Sequence, residues 1–314
     1  MIRRALVAFL VTGIGPALIG PALADGRILR VGPGEVHSTP GEAAAAARPG
    51  DRVLIEPGVY RECAVWRAPD VTVEAAGGPV VITGPVCGGK GLFVAAAPNL
   101  TVIGLTFEGA RAEAGNGAGI RAEGGDLTVR GSTFRDNENG ILTAANLPSA
   151  RLLIEDSTFL RNGALREGRE CAHGIYAGNL ALVAVRGSRF AGTQACHHVK
   201  SRAQRTEVER SVIEDGPDGT SSYLVDVPNG GDLLLLRNRL RKGPQTGNPT
   251  AAIVIGAEGV RRPTASLRIE ANDFQSLLAG PTTFVVNRTG TPATLVGNRI
   301  LGSVAPLVGP GSVR

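Results

Sequence analysis

The sequence predicts an all-β protein, specifically a parallel β-helix in which short strands coil into a stacked solenoid. A phrase of about eight alternating apolar and polar residues recurs along the chain, with 23 to 34 residues between its terminal apolar residues. An antiparallel β-sandwich would also give many short strands, but it would not explain a small polar residue at one fixed position in successive repeats. That residue lies two places before the terminal one in seven successive copies: Ser132, Ser157, Ser188, Ser211, Asn238, Asn272 and Asn298.

A second short apolar strand lies between successive phrases. Two or more strands per repeat, turns rich in Gly, Asn and Asp, and little helical periodicity favour stacked β-coils, and the frame of a leucine-rich repeat is absent. A chain of 314 residues with this repeat length predicts roughly ten coils. The second strands are expected at residues 119–122, 140–143, 174–177, 198–201, 224–227, 252–255 and 284–286.

The first 24 residues have the layout of a secretory signal peptide. Arg3 and Arg4 precede an apolar stretch that Gly and Pro interrupt, and the segment ends in "ALA". We expect cleavage after Ala24, one β-helix domain over residues 25–314, and a secreted or periplasmic protein with no membrane span in its mature chain. The net charge of +5 includes both signal arginines, so the mature chain is only mildly basic.

A short helix is expected ahead of the first coil. In "STPGEAAAAARPGDRVLIEPGVY" a Ser/Thr cap precedes an Ala-rich stretch from Gly41 to Ala47, which Pro49 and Gly50 end. A strand over residues 52–56 follows. Such a helix would cover the open first coil and protect its edge strands.

The four cysteines are spaced by about one coil. Cys63 and Cys87 are 24 residues apart, and Cys171 and Cys196 are 25 apart. Residues one coil apart lie on adjacent rungs separated by roughly 4.8 Å, close enough for a disulfide. We therefore predict the pairs Cys63–Cys87 and Cys171–Cys196, which an oxidising compartment permits.

The stretch "GDRVLIEPGVY" at residues 50–60 resembles a phrase of the pectate-lyase-like β-helix superfamily, Gly-Asp-x-Val-x-Ile-x-Pro-Gly-x-Tyr. Members of that superfamily often open with a capping helix. Through the repeats, the resemblance extends over nearly all of the chain after residue 24. It implies a right-handed, single-stranded parallel β-helix, but the fold hosts lyases, hydrolases, epimerases and binding modules, so function must come from the site.

The register of the second strands gathers polar residues on the outer face. Side chains alternate in and out along a strand, so residues far apart in sequence stack on successive coils. The patch should be roughly 10 Å high over two rung spacings, which suits one or two sugar rings. Its members are His173, Tyr176, His197, Lys200, Arg202, Tyr223, Asp226 and Asn229.

The densest stretch, "ACHHVKSRAQR" at residues 195–205, invites two other interpretations. His197 and His198 face opposite ways on a strand and Cys196 is expected in a disulfide, so we expect no metal and no cofactor. The face also lacks the clustered carboxylates of a calcium site. Glu207 and Glu209 follow the basic residues and no run of aromatic residues offers stacking platforms, which argues against nucleic acid.

The patch favours a lyase that cleaves an anionic, uronate-containing polysaccharide by β-elimination. Such an enzyme must neutralise the substrate carboxylate, remove the adjacent ring proton and protonate the leaving oxygen. We expect Lys200 as base, Tyr176 or His197 as acid, and Arg202 or Arg205 on the carboxylate. The remaining residues, with Arg205, are expected to bind substrate: His173, Tyr223, Asp226 and Asn229.

"HVKSRA" at residues 198–203 is similar to the lysine strand of polysaccharide lyase family six. The similarity implies the base role for Lys200. That family has an arginine one coil later, where this chain has Asp226, so the full mechanism does not carry over. Two alternatives stay open: a glycoside hydrolase using Asp226 with Asp215 or Asp218, and a non-catalytic carbohydrate-binding or surface β-helix protein in which Lys200 pairs with Asp226. With any of these functions, we expect a monomer.

Overall fold

The computed structural model describes residues 26–314, and the predicted signal peptide lies outside the described residues. Three parallel sheets run along the molecule, and each complete coil contributes one strand to each sheet. Sheet 1 has twelve strands: Ile28–Val31, Arg52–Ile55, Thr72–Ala75, Leu100–Ile103, Leu127–Arg130, Asn146–Glu155, Asn179–Arg186, Arg205–Glu209, Asp232–Leu236, Leu267–Glu270, Ala293–Val296 and Gly311–Val313. Sheet 2 has ten: Gly58–Arg61, Val80–Thr83, Leu105–Glu108, Thr133–Arg135, Thr158–Leu160, Arg189–Ala191, Val212–Glu214, Arg239–Lys242, Asp273–Ser276 and Arg299–Leu301. Sheet 3 also has ten: Ala64–Trp66, Gly91–Ala95, Ala118–Ala122, Asn139–Thr143, Ile175–Ala177, Val199–Ser201, Val225–Val227, Ala251–Ile255, Thr282–Asn287 and Val304–Val308.

The predicted parallel β-helix is confirmed, with ten complete three-strand coils in the described residues. The recurring phrase turns out to hold two strands and the corner between them. In one coil, Leu127–Arg130 belongs to sheet 1 and Thr133–Arg135 to sheet 2. The corner begins at Gly131, whose φ of 54° favours glycine.

The small polar residue at each corner forms a buried ladder along the coils. Ser132 N donates to Ser157 Oγ at 3.2 Å, and Ser157 N donates to Ser188 Oγ at 3.1 Å. Farther along, Ser211 N donates to Asn238 Oδ1 at 2.9 Å. Each side chain satisfies a buried backbone N–H of the preceding coil, and this requirement explains the fixed offset in the sequence.

The core between the sheets is apolar and contains a stack of phenylalanines on the inner side of sheet 2. The rings of Phe107, Phe134, Phe159 and Phe190 follow one another with centroids 5.1, 4.7 and 4.4 Å apart, and all four are fully buried. Identical residues stack because their strands pair in register across the coils. The stack supplies both burial and aromatic contact.

The capping helix is present and spans Pro40–Ala46, one residue earlier at each end than predicted. Thr39 is its N-cap: the hydroxyl accepts a hydrogen bond from Glu42 N, and the Glu42 carboxylate accepts from Ser38 N at 2.7 Å. Ala43 and Ala44 are buried, and the helix packs on Ala64–Trp66, the first strand of sheet 3. The first strand of sheet 1, Ile28–Val31, was not predicted and lies ahead of the helix in the chain.

Both predicted disulfides are confirmed. The Cα atoms of Cys63 and Cys87 are 5.4 Å apart, and those of Cys171 and Cys196 are 6.0 Å apart. Each bridge joins two neighbouring coils. Within residues 26–314, no helix combines the length and the apolar character needed to cross a membrane.

Replacing Cys171 and Cys196 together by Ser should lower the free energy of unfolding by about 3 kcal/mol, because the bridge closes a loop of some 25 residues in the unfolded chain. Urea unfolding followed by circular dichroism measures the change. The matched double variant at Cys63 and Cys87 closes a loop of nearly equal size and should lose a similar amount. Unfolding curves that coincide with those of the oxidised wild type would contradict the stabilising role.

Candidate functional site

The outer face of sheet 3 carries the predicted patch. Tyr176, Lys200 and Asp226 are register partners on three successive strands, while Ile175 and Val199 beside them are buried in the core. The three outward residues therefore stack on successive coils, as the sequence predicted. The inward neighbours hold each strand fixed, so the polar side chains stand on a rigid support.

A groove passes along this face on both sides of Tyr176. Two adjoining cavities of about 250 Å³ each share Tyr176, Arg202, Glu170 and Cys171 as lining residues. The first cavity extends toward Arg121, three strands before Lys200 in sheet 3. The second contains Lys200 and the two histidines of the patch, His173 and His197.

Two cations of the patch meet one carboxylate that the sequence did not indicate. Glu258 places Oε1 2.9 Å from Lys200 Nζ and Oε2 2.7 Å from Arg202 Nη1. Asn229, a predicted binding residue, accepts a hydrogen bond from Arg202 and donates one to Gly259 O at 3.3 Å. Asn229 thus links the guanidinium to the turn that carries Glu258.

Nothing in the sequence indicated that Glu258 lies beside Lys200, because the two residues are 58 positions apart. It lies in a turn just after the strand Ala251–Ile255, which is the rung above Asp226. In the sequence, Glu258 is merely a single acidic residue that follows an apolar strand, and this pattern does not indicate a site. The contacts of Glu258 with Lys200 and Arg202 span two rungs and depend on the shape of the turn and on the length of these three side chains. Strand register specifies neither.

Tyr176 lies under the two cations. Lys200 Nζ is 5.5 Å and the Arg202 guanidinium carbon 5.7 Å from the centre of the Tyr176 ring. Arg202 Nε also donates a hydrogen bond to the Tyr176 hydroxyl at 3.2 Å. The phenol oxygen is an acceptor in this bond, so its own proton remains available for donation into the groove.

Within the patch, His173, His197 and Tyr223 form a stacked column. Neighbouring ring centroids are 4.9 and 5.0 Å apart. His173 Nδ1 accepts a hydrogen bond from His197 N, and His197 Nδ1 accepts one from Tyr223 N, both at 3.1 Å. Each imidazole must therefore be neutral with its proton on Nε2.

The surroundings of both histidines also disfavour the charged form. Burial, together with the charge of Lys200, lowers the pKa of His197 to about 3. Burial and the neighbouring His197 hold the pKa of His173 well below its ordinary value. The neutral His197 thus points its Nε2–H toward Asp226 Oδ2, at 3.4 Å.

Asp226 is a buried carboxyl group at the floor of the patch, only 3% exposed. Its Oδ2 lies 3.7 Å from Lys200 Nζ, and its Oδ1 has no hydrogen-bond partner among the described residues. Burial outweighs the opposing charge of Lys200 and raises the pKa of Asp226 to about 6. The carboxyl group is thus poised to change protonation near neutral pH.

Replacing Asp226 by Asn should stabilise the protein at high pH and have little effect at low pH. The pKa rises from 3.8 to about 6 on folding, so the native state loses stability as pH climbs through that window. Above it the full cost of roughly 3 kcal/mol applies, and Asn avoids that cost. Melting temperatures near pH 4 and pH 8 measure the effect. Asp218→Asn, at an exposed aspartate, is the control, and an equal shift at both pH values would contradict the burial cost.

The structure does not bring Arg205 into the patch. This residue begins the sheet 1 strand Arg205–Glu209, and its Nε donates to Glu207 Oε1 at 2.6 Å. Lys200 and Arg205 belong to one short sequence stretch, but the corner of the coil turns the chain onto another sheet between them. Arg205 therefore lies on a different sheet from Lys200, and its contact with substrate stays a prediction.

Asp215, considered as a second acid, lies inside the coil. It is 1% exposed and contacts His198 Nε2 at 2.8 Å, with further hydrogen bonds from Ser221 and Gly243 N. His198 is the inward neighbour of His197, as alternation requires. Asp215 and His198 form a buried polar cluster and do not face the groove, while Asp218 lies in an exposed turn.

Among residues 26–314, no three His, Cys, Asp or Glu side chains are grouped closely enough to hold a metal ion. Sequence comparison adds no relative: no protein-family profile and no curated protein matches. Comparison of folds does find similar structures.

One similar structure is the alginate lyase from Paenibacillus sp. str. FPU-7, with a TM-score of 0.58 and 18% identity over 85% of this chain and 96% of that one. Another is pectate lyase Pel9A, with a TM-score of 0.50 and 15% identity over 90% of this chain and 79% of that one. At such identities the likeness establishes architecture alone. The chain is a right-handed parallel β-helix with the pectate-lyase-like fold.

Proposed function

We propose that this protein is an exported lyase that cleaves a uronate-containing polysaccharide by β-elimination. The observation that carries the proposal is that Lys200, Arg202 and Tyr176 lie next to one another in the lining of one cavity. A cation for the substrate carboxylate, a base and a proton donor are the three groups that the reaction needs. All three stand on rigid strands or directly after them.

In the proposed reaction, Arg202 binds the uronate carboxylate and stabilises the negative charge that develops there. Lys200 first releases its ammonium proton to solvent, and the resulting amine takes the proton from the carbon next to the carboxyl group. The electron pair left behind forms a carbon–carbon double bond, and the bond to the glycosidic oxygen breaks. Tyr176 donates its proton to that oxygen, and transfer of a proton from Lys200 to Tyr176 restores the enzyme. No water is consumed.

The fold comparisons support this choice of reaction class. Both similar structures named above are polysaccharide lyases, one of alginate and one of pectate. Both substrates are polyanions, as the Lys200 and Arg202 pair requires. We accordingly propose an anionic polysaccharide as the partner and the space outside the cytoplasm as the site of action, in keeping with the signal peptide expected over residues 1–24.

Glycoside hydrolysis is the second candidate, because two carboxyl groups with different pKa values flank Lys200. The pKa of Asp226 is about 6 and that of Glu258 about 2. Hydrolases use such a pair, with one group kept protonated as the acid. Asp226 is nearly inaccessible, however, whereas Lys200 and Tyr176 line the groove, so we rank elimination first.

The test is an ultraviolet absorbance assay on polygalacturonate, alginate and chondroitin. β-Elimination creates a double bond conjugated to the carboxyl group, so absorbance should rise with at least one polymer. New reducing ends without that absorbance would favour the hydrolase. Binding without either product would reduce the protein to a carbohydrate-binding module and overturn the proposed activity.

A further inference from the structure

The cation pair formed by Lys200 and Arg202 already holds a carboxylate of the protein itself. Each oxygen of Glu258 accepts from a different cation, at 2.9 and 2.7 Å. A uronate presents the same group: a planar carboxylate with two acceptor oxygens. The arrangement is the geometry by which a Lys and an Arg recognise a carboxylate ligand.

Glu258 approaches the cations from the solvent side. Its side chain is 43% exposed, whereas that of Lys200 is 11% exposed. The backbone of its turn is anchored separately, because Gly256 N donates to Val227 O and Glu258 N to Pro228 O, both at 2.9 Å. The carboxylate can therefore swing into solvent while the turn stays in place.

Glu258 is negatively charged at neutral pH. Burial works in the opposite direction, but hydrogen bonds from Arg202 and Lys200 lower the pKa of Glu258 to about 2. The side chain is thus a carboxylate at neutral pH, and it competes with like-charged ligands for both cations.

We propose that Lys200 and Arg202 form a carboxylate-binding subsite for a uronate, and that Glu258 is an internal competitor which the uronate displaces. This inference rests on the proposed function in that the ligand is a uronate. A neutral sugar offers nothing to replace the Glu258 carboxylate, so the competitor selects for charged ligands and weakens their affinity.

The subsite also fixes where the reacting carbon lies. The carbon that carries the proton to be removed is bonded to the carboxyl carbon of a uronate. When the uronate carboxylate takes the place of Glu258, that proton lies beside Lys200. Arg202 then keeps hold of the carboxylate, while Lys200, which must give up its own ammonium proton before it can act as base, lies beside the proton to be removed.

The test replaces Glu258 by Gln, which keeps the size of the side chain and removes its charge. Isothermal titration calorimetry with trigalacturonate and trimannuronate should show at least one of them binding about tenfold more tightly to Glu258→Gln than to the wild type. Neutral maltotriose should not gain affinity. Glu155→Gln, at a half-buried glutamate paired with Arg130 on sheet 1, changes net charge equally and should leave affinity unchanged.

The inference would be overturned if both charged trimers bound Glu258→Gln no more tightly than the wild type. It would also be overturned if neither trimer bound to the wild type or to Glu258→Gln. The outcome is independent of catalysis. Tighter binding without unsaturated product would keep the subsite and remove the lyase. Unsaturated product with unchanged affinity would keep the lyase and remove the competitor.

Discussion

Lys200→Ala should lower the rate of unsaturated product formation by between about 10² and 10⁴, the usual contribution of a positioned base. Lys200 lines the groove and lies at the centre of the patch, with Glu258 at 2.9 Å and Asp226 at 3.7 Å. Its removal takes away the proton acceptor of the reaction and, before the substrate is deprotonated, one of the two cations that contact Glu258. Initial rates from ultraviolet absorbance, at saturating polymer, measure the loss.

Lys200→Arg separates these two contributions. Arginine keeps a positive charge beside Glu258 and Asp226, but it does not lose its proton at accessible pH and cannot act as base. We expect this variant to bind an oligouronate close to normally and to turn over as slowly as Lys200→Ala. Nearly full activity in Lys200→Arg would show that the residue acts through charge alone and would contradict the base role.

Phe159→Ala should lower the free energy of unfolding by about 3–5 kcal/mol. Phe159 is fully buried in the middle of its stack, with neighbouring rings 4.7 and 4.4 Å away, so truncation leaves a cavity between two coils. Chemical denaturation followed by circular dichroism measures the change. Leu277→Ala, at a residue 45% exposed, is the control and should cost less than about 0.5 kcal/mol.

If Phe159→Ala cost no more than Leu277→Ala, the aromatic stack would not be a main source of stability. The solenoid offers a further check, because each coil contacts mainly its neighbours. Hydrogen exchange in Phe159→Ala should therefore rise most in the coils of Phe134 and Phe190. Uniform loss of protection along the whole chain would instead indicate a single cooperative unit.

The sequence predicted the architecture well because every coil of a β-helix must meet the same requirements of strand alternation, corner hydrogen bonding and rung spacing. The Ser and Asn ladder, the spacing of Cys171 from Cys196 and the alternation around Lys200 all follow from one rung spacing. Coil number, disulfide pairing and the stacking of Tyr176, Lys200 and Asp226 were therefore accessible from the residues alone. The strand Ile28–Val31 was missed because it precedes the first recognisable repeat.

The details of the site were less accessible, because they depend on corners and long side chains. Arg205 is close to Lys200 in sequence, yet a corner carries it to another sheet. Glu258 is remote in sequence, yet its turn brings it onto the cations. The neutral state of His197 follows from a backbone N–H of the next coil, which no sequence pattern specifies.

Mass spectrometry of the products tests the central claim most directly. Wild-type protein should convert an oligouronate into a fragment lighter by one water than the corresponding hydrolysis product, and Lys200→Ala should leave the substrate intact. Fragments with the mass of hydrolysis products, or the same unsaturated fragments from Lys200→Ala, would contradict a lyase site centred on Lys200, Arg202 and Tyr176.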